Sequence, residues 1–293
     1  MIQQIFSIVF PVFSIVLVGY LYGRKHLPDM AAANKINIEV FTPALIFSVL
    51  SGKNFNLAEF YSLAFGAALV VLGSGLLAWP VARLMNFDVK TFVPPAMFTN
   101  SGNMGLPLAL FAFGETALPA AIMLFIVENT LHFTVGMKMI NRQASLVEIL
   151  RLPMVLATFA GLLVSLMAIE IPSVVLQPID MIGQVAIPLM LFSLGVRLLN
   201  IDYRDWKIGL TSALVTPISG VLIAIVFLAL VELPKDQLAL FLLFSVLPPA
   251  VLNFMIAEKF NQEPARVASI VMIGNLGSIV SIPLILLFVL ISA

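Results

Sequence analysis

Apolar stretches of about 20 residues, the length that a spanning helix requires, follow one another along almost the whole sequence and are separated by short connections. A chain that is 61% hydrophobic and 10% charged cannot hide so much apolar surface in one water-soluble core. The pattern therefore predicts an all-α polytopic membrane protein. Its ten predicted spans are residues 4–23, 34–51, 59–84, 91–113, 116–140, 146–169, 174–199, 207–231, 236–258 and 265–291.

Basic residues are distributed unequally between the connections of these spans. The odd-numbered connections and nearby span ends hold 13 lysines and arginines, the even-numbered ones hold Lys53 and Lys235, and together these are all 15 in the chain. Basic residues are retained on the cytoplasmic side of a membrane. The asymmetry therefore predicts that both termini lie on the non-cytoplasmic side of the cell inner membrane.

Three short patterns occur twice in the chain and in the same order. Residues 10–19 (FPVFSIVLVG) resemble 152–161 (LPMVLATFAG), residues 42–48 (TPALIFS) resemble 187–193 (IPLMLFS), and residues 93–100 (VPPAMFTN) resemble 247–254 (LPPAVLNF). These pairs map spans one to five onto spans six to ten. Because five is odd, the second copy is predicted to be upside down, so that residues 1–140 and 146–293 form two inverted five-helix repeats.

The fourth span, residues 91–113, is built so that its helix is interrupted in the middle. Pro94 and Pro95 lack backbone donors, and Gly102 weakens the turn that follows. Non-helical backbone at membrane depth is tolerated only where protein buries it or where it lines a water-filled cavity. The break therefore predicts a substrate cavity. The polar residues in the gap are Thr99, Asn100, Ser101 and Asn103.

The ninth span carries an equivalent break at Pro248 and Pro249. Inverted repeats with interrupted helices at equivalent positions are typical of secondary transporters, in which one part of the protein moves against another to give alternating access. Where two such helices cross at their breaks, the N-termini of the half-helices offer positive dipole ends to an anion. The crossing of spans four and nine is the expected site, and an organic carboxylate is the expected ligand.

The string TNSGNMGLPLAL at residues 99–110, together with LPPA at 247–250, resembles the signature of the auxin efflux carrier family, and the resemblance extends over essentially all ten spans. It implies a bacterial member similar to carriers of malonate, malate and related carboxylates, with a fold similar to that of sodium/proton antiporters and bile-acid sodium symporters. It also implies scaffold helices within 4–51 and 146–199, transport helices within 59–140 and 207–291, and an elevator-type movement. A homodimer would fit the resemblance.

The expected substrate-binding residues lie at the two breaks, because an Asn amide can donate to a carboxylate or coordinate a cation through its oxygen. The alternative is that these polar side chains only cap the half-helices, a common role of Asn and Ser. The expected set is Asn100, Ser101, Asn103, Asn253 and Thr99, with Pro95 and Pro249 as the residues that create the breaks.

Glu128 lies near the centre of the fifth span, with His132 four residues further along the same helical face. A charged carboxylate at that depth is costly, so Glu128 is expected to bind a proton or Na⁺ during transport. Asn129 and its repeat equivalent Asn275 add polar groups to the same interior. The alternative is a structural, protonated Glu128 that is hydrogen-bonded to His132.

Three hydroxyl residues on repeated scaffold spans, Thr42, Ser48 and Ser193, are expected to line the face opposite the crossing, or else only to pack within the membrane. Arg197 is expected to extend from the end of span seven to the membrane surface. The chain has no cysteine and no His/Asp/Glu cluster with metal-ligand spacing, so no metal or cofactor is expected beyond a coupling Na⁺ or H⁺.

These patterns predict a secondary active transporter, and not an enzyme, for a small organic anion such as malonate, malate or an auxin-like acid. One alternative keeps the fold and makes the protein a sodium/proton antiporter that uses Glu128. A second alternative is a non-transporting membrane sensor, although the chain has no output domain. The formal net charge of zero gives no reason to expect a nucleic-acid partner, so the expected partners are the substrate and the lipid bilayer.

Overall fold

The computed structural model describes residues 2–52, 57–143, 151–200 and 205–292, which form helices joined by short connections. Large apolar side chains on these helices are exposed, as expected for surfaces that face lipid. The prediction of an all-α polytopic membrane protein is confirmed. Six of the described helices are long and apolar enough to cross a membrane: Ile5–His26, Leu57–Leu84, Glu115–Ile140, Ser173–Arg197, Trp206–Leu228 and Pro264–Val289.

The helices are numbered here in chain order. The first half contains α1 (Ile2–His26), α2 (Ala31–Ile36), α3 (Thr42–Leu50), α4 (Tyr61–Leu84), α5 (Val89–Met97), α6 (Leu106–Phe113), α7 (Leu118–Leu131) and α8 (Met137–Ile140). The second half contains α9 (Pro153–Leu166), α10 (Ser173–Gly183), α11 (Ala186–Arg197), α12 (Trp206–Leu228), α13 (Lys235–Ser245), α14 (Val251–Lys259) and α15 (Pro264–Ser292). Three π-helical turns lie between these helices. The turn Asn37–Phe41 joins α2 to α3, the turn Ser101–Gly105 precedes α6, and the turn His132–Gly136 joins α7 to α8.

Both interruptions lie where the sequence predicts them. α5 contains Pro94 and Pro95 and ends at Met97, because Phe98 is in an extended conformation with φ −101° and ψ 106°. α13 ends at Ser245, and α14 begins only at Val251. Proline offers no N–H to a helix and disfavours helical geometry in the residue before it, which fits the second break at Pro248 and Pro249. Pro94 and Pro95 instead lie inside α5, and the first break follows them at Phe98.

Helical residues occupy each of the ten predicted segments within the part of the chain that the structure describes. The number of membrane crossings and their inverted arrangement remain predictions, because the broken and shorter helices are not long enough to span by themselves. Residues 146–150 of the predicted sixth span lie outside the described residues. So do Lys53 and Arg204, on which the predicted orientation depends in part.

The helices α1 and α11 pack in close backbone contact, and glycines permit it. A Cβ atom added to Gly195 would lie 1.9 Å from the backbone oxygen of Val16, and one added to Gly19 would lie 2.1 Å from that of Phe192. Helices in lipid gain little from burying apolar surface against each other, so close backbone approach at small residues is a main source of their association. The α1 and α11 pair therefore depends on the absence of side chains at these two positions.

A polar cluster ties the start of α5 to the turn between α14 and α15. The buried Thr91 hydroxyl donates to Glu263 Oε2 at 2.6 Å and accepts from Gln262 Nε2 at 3.0 Å. Arg266 Nη1 donates to Glu263 Oε1 at 2.7 Å. Glu263 has a left-handed backbone, with φ 40°, which costs free energy in a non-glycine residue. These contacts hold the ends of the two interrupted helices together.

We expect Gly195→Ala to lower the midpoint of thermal unfolding in detergent. The added methyl group forces α1 and α11 apart, and overpacking of this kind costs about 1–3 kcal/mol. Gly277→Ala in α15 is the matched control, because its added Cβ would come no closer than 3.4 Å to its neighbour Ala213. Equal midpoints for the two variants would contradict the role assigned to this contact.

Candidate functional site

The two breaks cross and pair with each other through their backbones. Thr99 and Pro249 form an isolated antiparallel bridge. The Asn100 N–H donates to the Pro248 oxygen at 2.7 Å, and the Ala250 N–H donates to the Phe98 oxygen at 3.0 Å. Unpaired backbone groups are costly away from water. Each break therefore supplies hydrogen bonds that the other break has lost by leaving the helical conformation.

Three buried asparagines reinforce this crossing. Asn253 Nδ2 donates to the Phe98 oxygen at 2.9 Å and to the Ala250 oxygen at 3.0 Å. Asn275 Nδ2 donates to the Pro249 oxygen at 3.0 Å, and Asn275 Oδ1 accepts from Asn100 Nδ2 at 3.0 Å. The amide donors of these side chains are thus used to hold the breaks together.

A cavity of about 120 Å³ lies beside the crossing. Because about 10–15 Å³ of such space holds one water molecule, the cavity has room for a small organic molecule. It brings together eight of the predicted site residues: Thr42, Thr99, Asn100, Ser101, Asn103, Glu128, Asn129 and His132. Six others lie outside its wall: Ser48, Pro95, Ser193, Pro249, Asn253 and Asn275.

The six residues outside the wall have identifiable positions. Ser48 donates to the Leu45 oxygen at 3.1 Å within its own helix, and the Ser193 hydroxyl is buried without a hydrogen-bond partner. Asn253 and Asn275 donate hydrogen bonds to backbone oxygens of the two breaks, as described above. Pro95 lies inside α5, before the first break, and Pro249 lies within the second break, and neither lines the cavity.

All three π-helical turns of the described residues contribute to the cavity wall. The turn at Asn37–Phe41 supplies Asn37 and Ile38, and the turn at Ser101–Gly105 supplies Ser101 to Asn103. The turn at His132–Gly136 supplies His132 and Phe133. A π turn holds one more residue than an α turn and is common at functional sites. Here the three turns widen three helices around one space.

Glu128 lies in the cavity wall with only 1% of its surface exposed, and neither of its carboxylate oxygens is hydrogen-bonded. Thr99 and Ser101 lie beside it, and the Thr99 hydroxyl is likewise buried without a partner. Glu128 makes no hydrogen bond to His132, whose ring stacks on Phe98 with ring centroids 4.2 Å apart, and a structural role for a protonated Glu128 stays an alternative. A buried carboxylate without a partner is a strong candidate for a bound proton or cation.

Arg197 is the main residue of this site that the sequence analysis missed. It is half-buried at the end of α11 and lines the cavity, and the expectation that it extends to the membrane surface stays a prediction. It also lines a wider vestibule of about 550 Å³ together with Lys35, Glu39 and Glu258.

Two more missed residues are Asn34 and Asn37, which line the cavity from α2 and the first π turn. Asn37 Nδ2 donates to the Ala186 oxygen at 3.4 Å, and its buried Oδ1 has no hydrogen-bond partner. Asn34 and Arg197 line both the cavity and the vestibule, so the two spaces are adjacent. Among the described residues, no group of three or more acidic, His or Cys side chains is arranged to hold a metal ion.

Comparisons with known proteins agree with a transport role. The family model described as membrane transport protein matches this chain over residues 4–149 and 141–286. A protein of Rhizobium meliloti that bears the name "Putative malonate transporter" is 26% identical over 95% of this chain and 94% of its own length. An uncharacterized transporter of Methanocaldococcus jannaschii is 23% identical over 95% of this chain and 96% of its own. Because the matched segments cover nearly all of its residues, the chain belongs to the membrane transport protein family, as its resemblance to the auxin efflux carriers predicted.

Proposed function

We propose that this protein is a secondary active transporter that moves a small carboxylate across the cell membrane by alternating access. The observation that carries the proposal is the cavity at the crossing of two broken helices, which is lined by amides, hydroxyls and one arginine. Cavities at such crossings are where secondary transporters bind their substrates. The name of the Rhizobium relative makes malonate the first substrate to test.

The carboxylate is proposed to bind where two helical segments begin. The segment that starts at Ser101 and the helix that starts at Val251 both contribute their first residues to the cavity wall. The first N–H groups of a helix are unpaired within it, and they carry the positive end of the helix dipole. Asn103 is half-buried in the same wall and supplies a side-chain amide. Asn253 and Asn275 act indirectly, by fixing the crossing.

The proposed movement is of the elevator type, in a fold of ten spans arranged as two inverted five-helix repeats. Two packing groups support a scaffold and a transport domain: α1 packs on α11 and α3 on α9 and α10, whereas α4, α5 and α7 pack with α12, α13 and α15 around the crossing. The vestibule opens beside Lys35 and Arg197, on the side rich in basic residues. The proposed conformation is therefore one that is open to the cytoplasm.

Glu128 is the proposed coupling residue. Its buried, unpartnered carboxylate lies in the same cavity as the proposed substrate groups, so binding of H⁺ or Na⁺ there would alter the charge that the substrate meets. The same observation favours one second candidate function, a sodium/proton antiporter without an organic substrate. The amides, hydroxyls and arginine in the cavity favour the carboxylate transporter.

Asn103→Ala is expected to weaken malonate binding by about tenfold or more, because a hydrogen bond to a charged group contributes about 1.5–3 kcal/mol. The measurement is the Michaelis constant for uptake into proteoliposomes that contain the purified protein. Gln143→Ala serves as the control, since Gln143 is exposed and lies outside the cavity. Unchanged uptake by Asn103→Ala would remove Asn103 from the proposed site.

Asn253→Ala is expected to destabilise the protein, in contrast to Asn103→Ala. It removes the two hydrogen bonds from Asn253 Nδ2 to the Phe98 and Ala250 oxygens, and a typical intramolecular hydrogen bond contributes about 0.5–1.5 kcal/mol. The midpoint of thermal unfolding should fall, while the folded fraction retains a Michaelis constant close to that of the wild type. A large change in that constant without loss of stability would make Asn253 a ligand.

Glu128→Gln is expected to retain exchange of malonate across the membrane but to lose its acceleration by a proton or Na⁺ gradient, because the amide is neutral and does not titrate. Counterflow without a gradient and uptake with a gradient should be compared in the same proteoliposomes. If the wild type instead exchanges Na⁺ for H⁺ without any carboxylate, and Glu128→Gln abolishes that exchange, the antiporter function is the correct one.

A further inference from the structure

We propose that Arg197 binds a second carboxylate, so that the substrate is a dicarboxylate held between Arg197 and the helix crossing. This inference rests on the proposed function, in that it assumes that the cavity binds an organic anion. It assigns a specificity role to a residue outside the crossing. It also names the substrate class more narrowly than the proposed function requires.

The charge inventory of the cavity singles out Arg197. Among the described residues of the cavity wall, it is the one permanently cationic side chain, and Glu128 is the one acidic side chain. Arg197 forms no salt bridge with a described residue, although Glu258 attracts it electrostatically in the adjoining vestibule. The guanidinium group is therefore available to a ligand. Its planar fork matches a carboxylate and can make two parallel hydrogen bonds to it.

The position of Arg197 places it within reach of a small ligand at the crossing. Its helix, α11, packs directly against the π turn Ser101–Gly105, which carries Ser101 and Asn103. Both groups line one cavity of about 120 Å³. A ligand that fills this cavity therefore contacts both Arg197 and the π turn. The cavity thus presents two separate anion-binding groups, which come from different helices.

A monocarboxylate would leave one of these two groups unused. If it bound at the crossing, it would make no contact with the Arg197 guanidinium and would gain no charge-assisted hydrogen bond from it. If it bound to Arg197, the helix N-termini at Ser101 and Val251 would have no anion. A dicarboxylate with a short spacer satisfies both groups at once. We infer selectivity for dicarboxylates on this basis.

The test compares malonate with malonamate, which has the same shape but one amide in place of a carboxylate. Affinities for both ligands are measured by isothermal titration calorimetry on the purified wild type, R197Q, R197K and R83Q. R83Q is the matched control, because it removes one arginine charge from an exposed position outside the cavity. The ratio of the two affinities within one variant is insensitive to a loss of folded protein.

The wild type and R83Q should prefer malonate by about tenfold or more, as expected for loss of one charge-assisted contact. R197Q should lose this preference by binding malonate more weakly and malonamate almost unchanged, and R197K should lie between. Equal weakening of both ligands in R197Q, or an unchanged preference, would overturn the inference and leave the proposed function intact. So would a wild type that binds acetate as tightly as malonate. Failure of the wild type to bind any carboxylate would overturn both.

Discussion

The structure depends on one requirement, which is that backbone polar groups inside a membrane must find hydrogen bonds within the protein. A helix meets this requirement by itself, and a broken helix does not. In this chain the two broken segments meet it for each other, through the Asn100 N–H to the Pro248 oxygen and the Ala250 N–H to the Phe98 oxygen. The crossing therefore fixes how the two halves of the chain pack together. The cavity lies beside the crossing and is lined by polar side chains.

The polar side chains around the crossing divide into two groups with different tasks. Asn253 and Asn275 donate hydrogen bonds from their side-chain amides to carbonyl oxygens of the breaks, so they stabilise the crossing. Thr99 and Glu128 keep unpartnered oxygens in the wall of the cavity. Asparagine thus serves at this site both as a structural substitute for lost helix hydrogen bonds and, at Asn103, as a potential ligand. Whether an asparagine stabilises the crossing or is free to bind a ligand depends on the hydrogen-bond partner of its amide, and not on its distance from the crossing.

The sequence predicted the helical class, the two interruptions and most of the cavity residues, because proline and polar side chains within apolar spans have direct local consequences. It did not distinguish Asn253 from Asn103, since that depends on which carbonyl oxygen each amide reaches across the crossing. The π turns were not predicted, because a widened turn is stabilised by packing between helices and leaves no clear local pattern. Arg197 was assigned to the membrane surface for a similar reason: its position near a span end was visible, but the neighbouring cavity was not.

The crossing also has a consequence for how the protein is made. Its two hydrogen-bonding partners are about 150 residues apart in the chain. At a synthesis rate of about 5–20 residues per second, the first break waits roughly 8 to 30 seconds before the second break has been translated. During that interval its unpaired backbone cannot rest in lipid. The membrane insertion machinery, or an aqueous position beside it, must therefore shelter the first half of the nascent chain until the second half arrives.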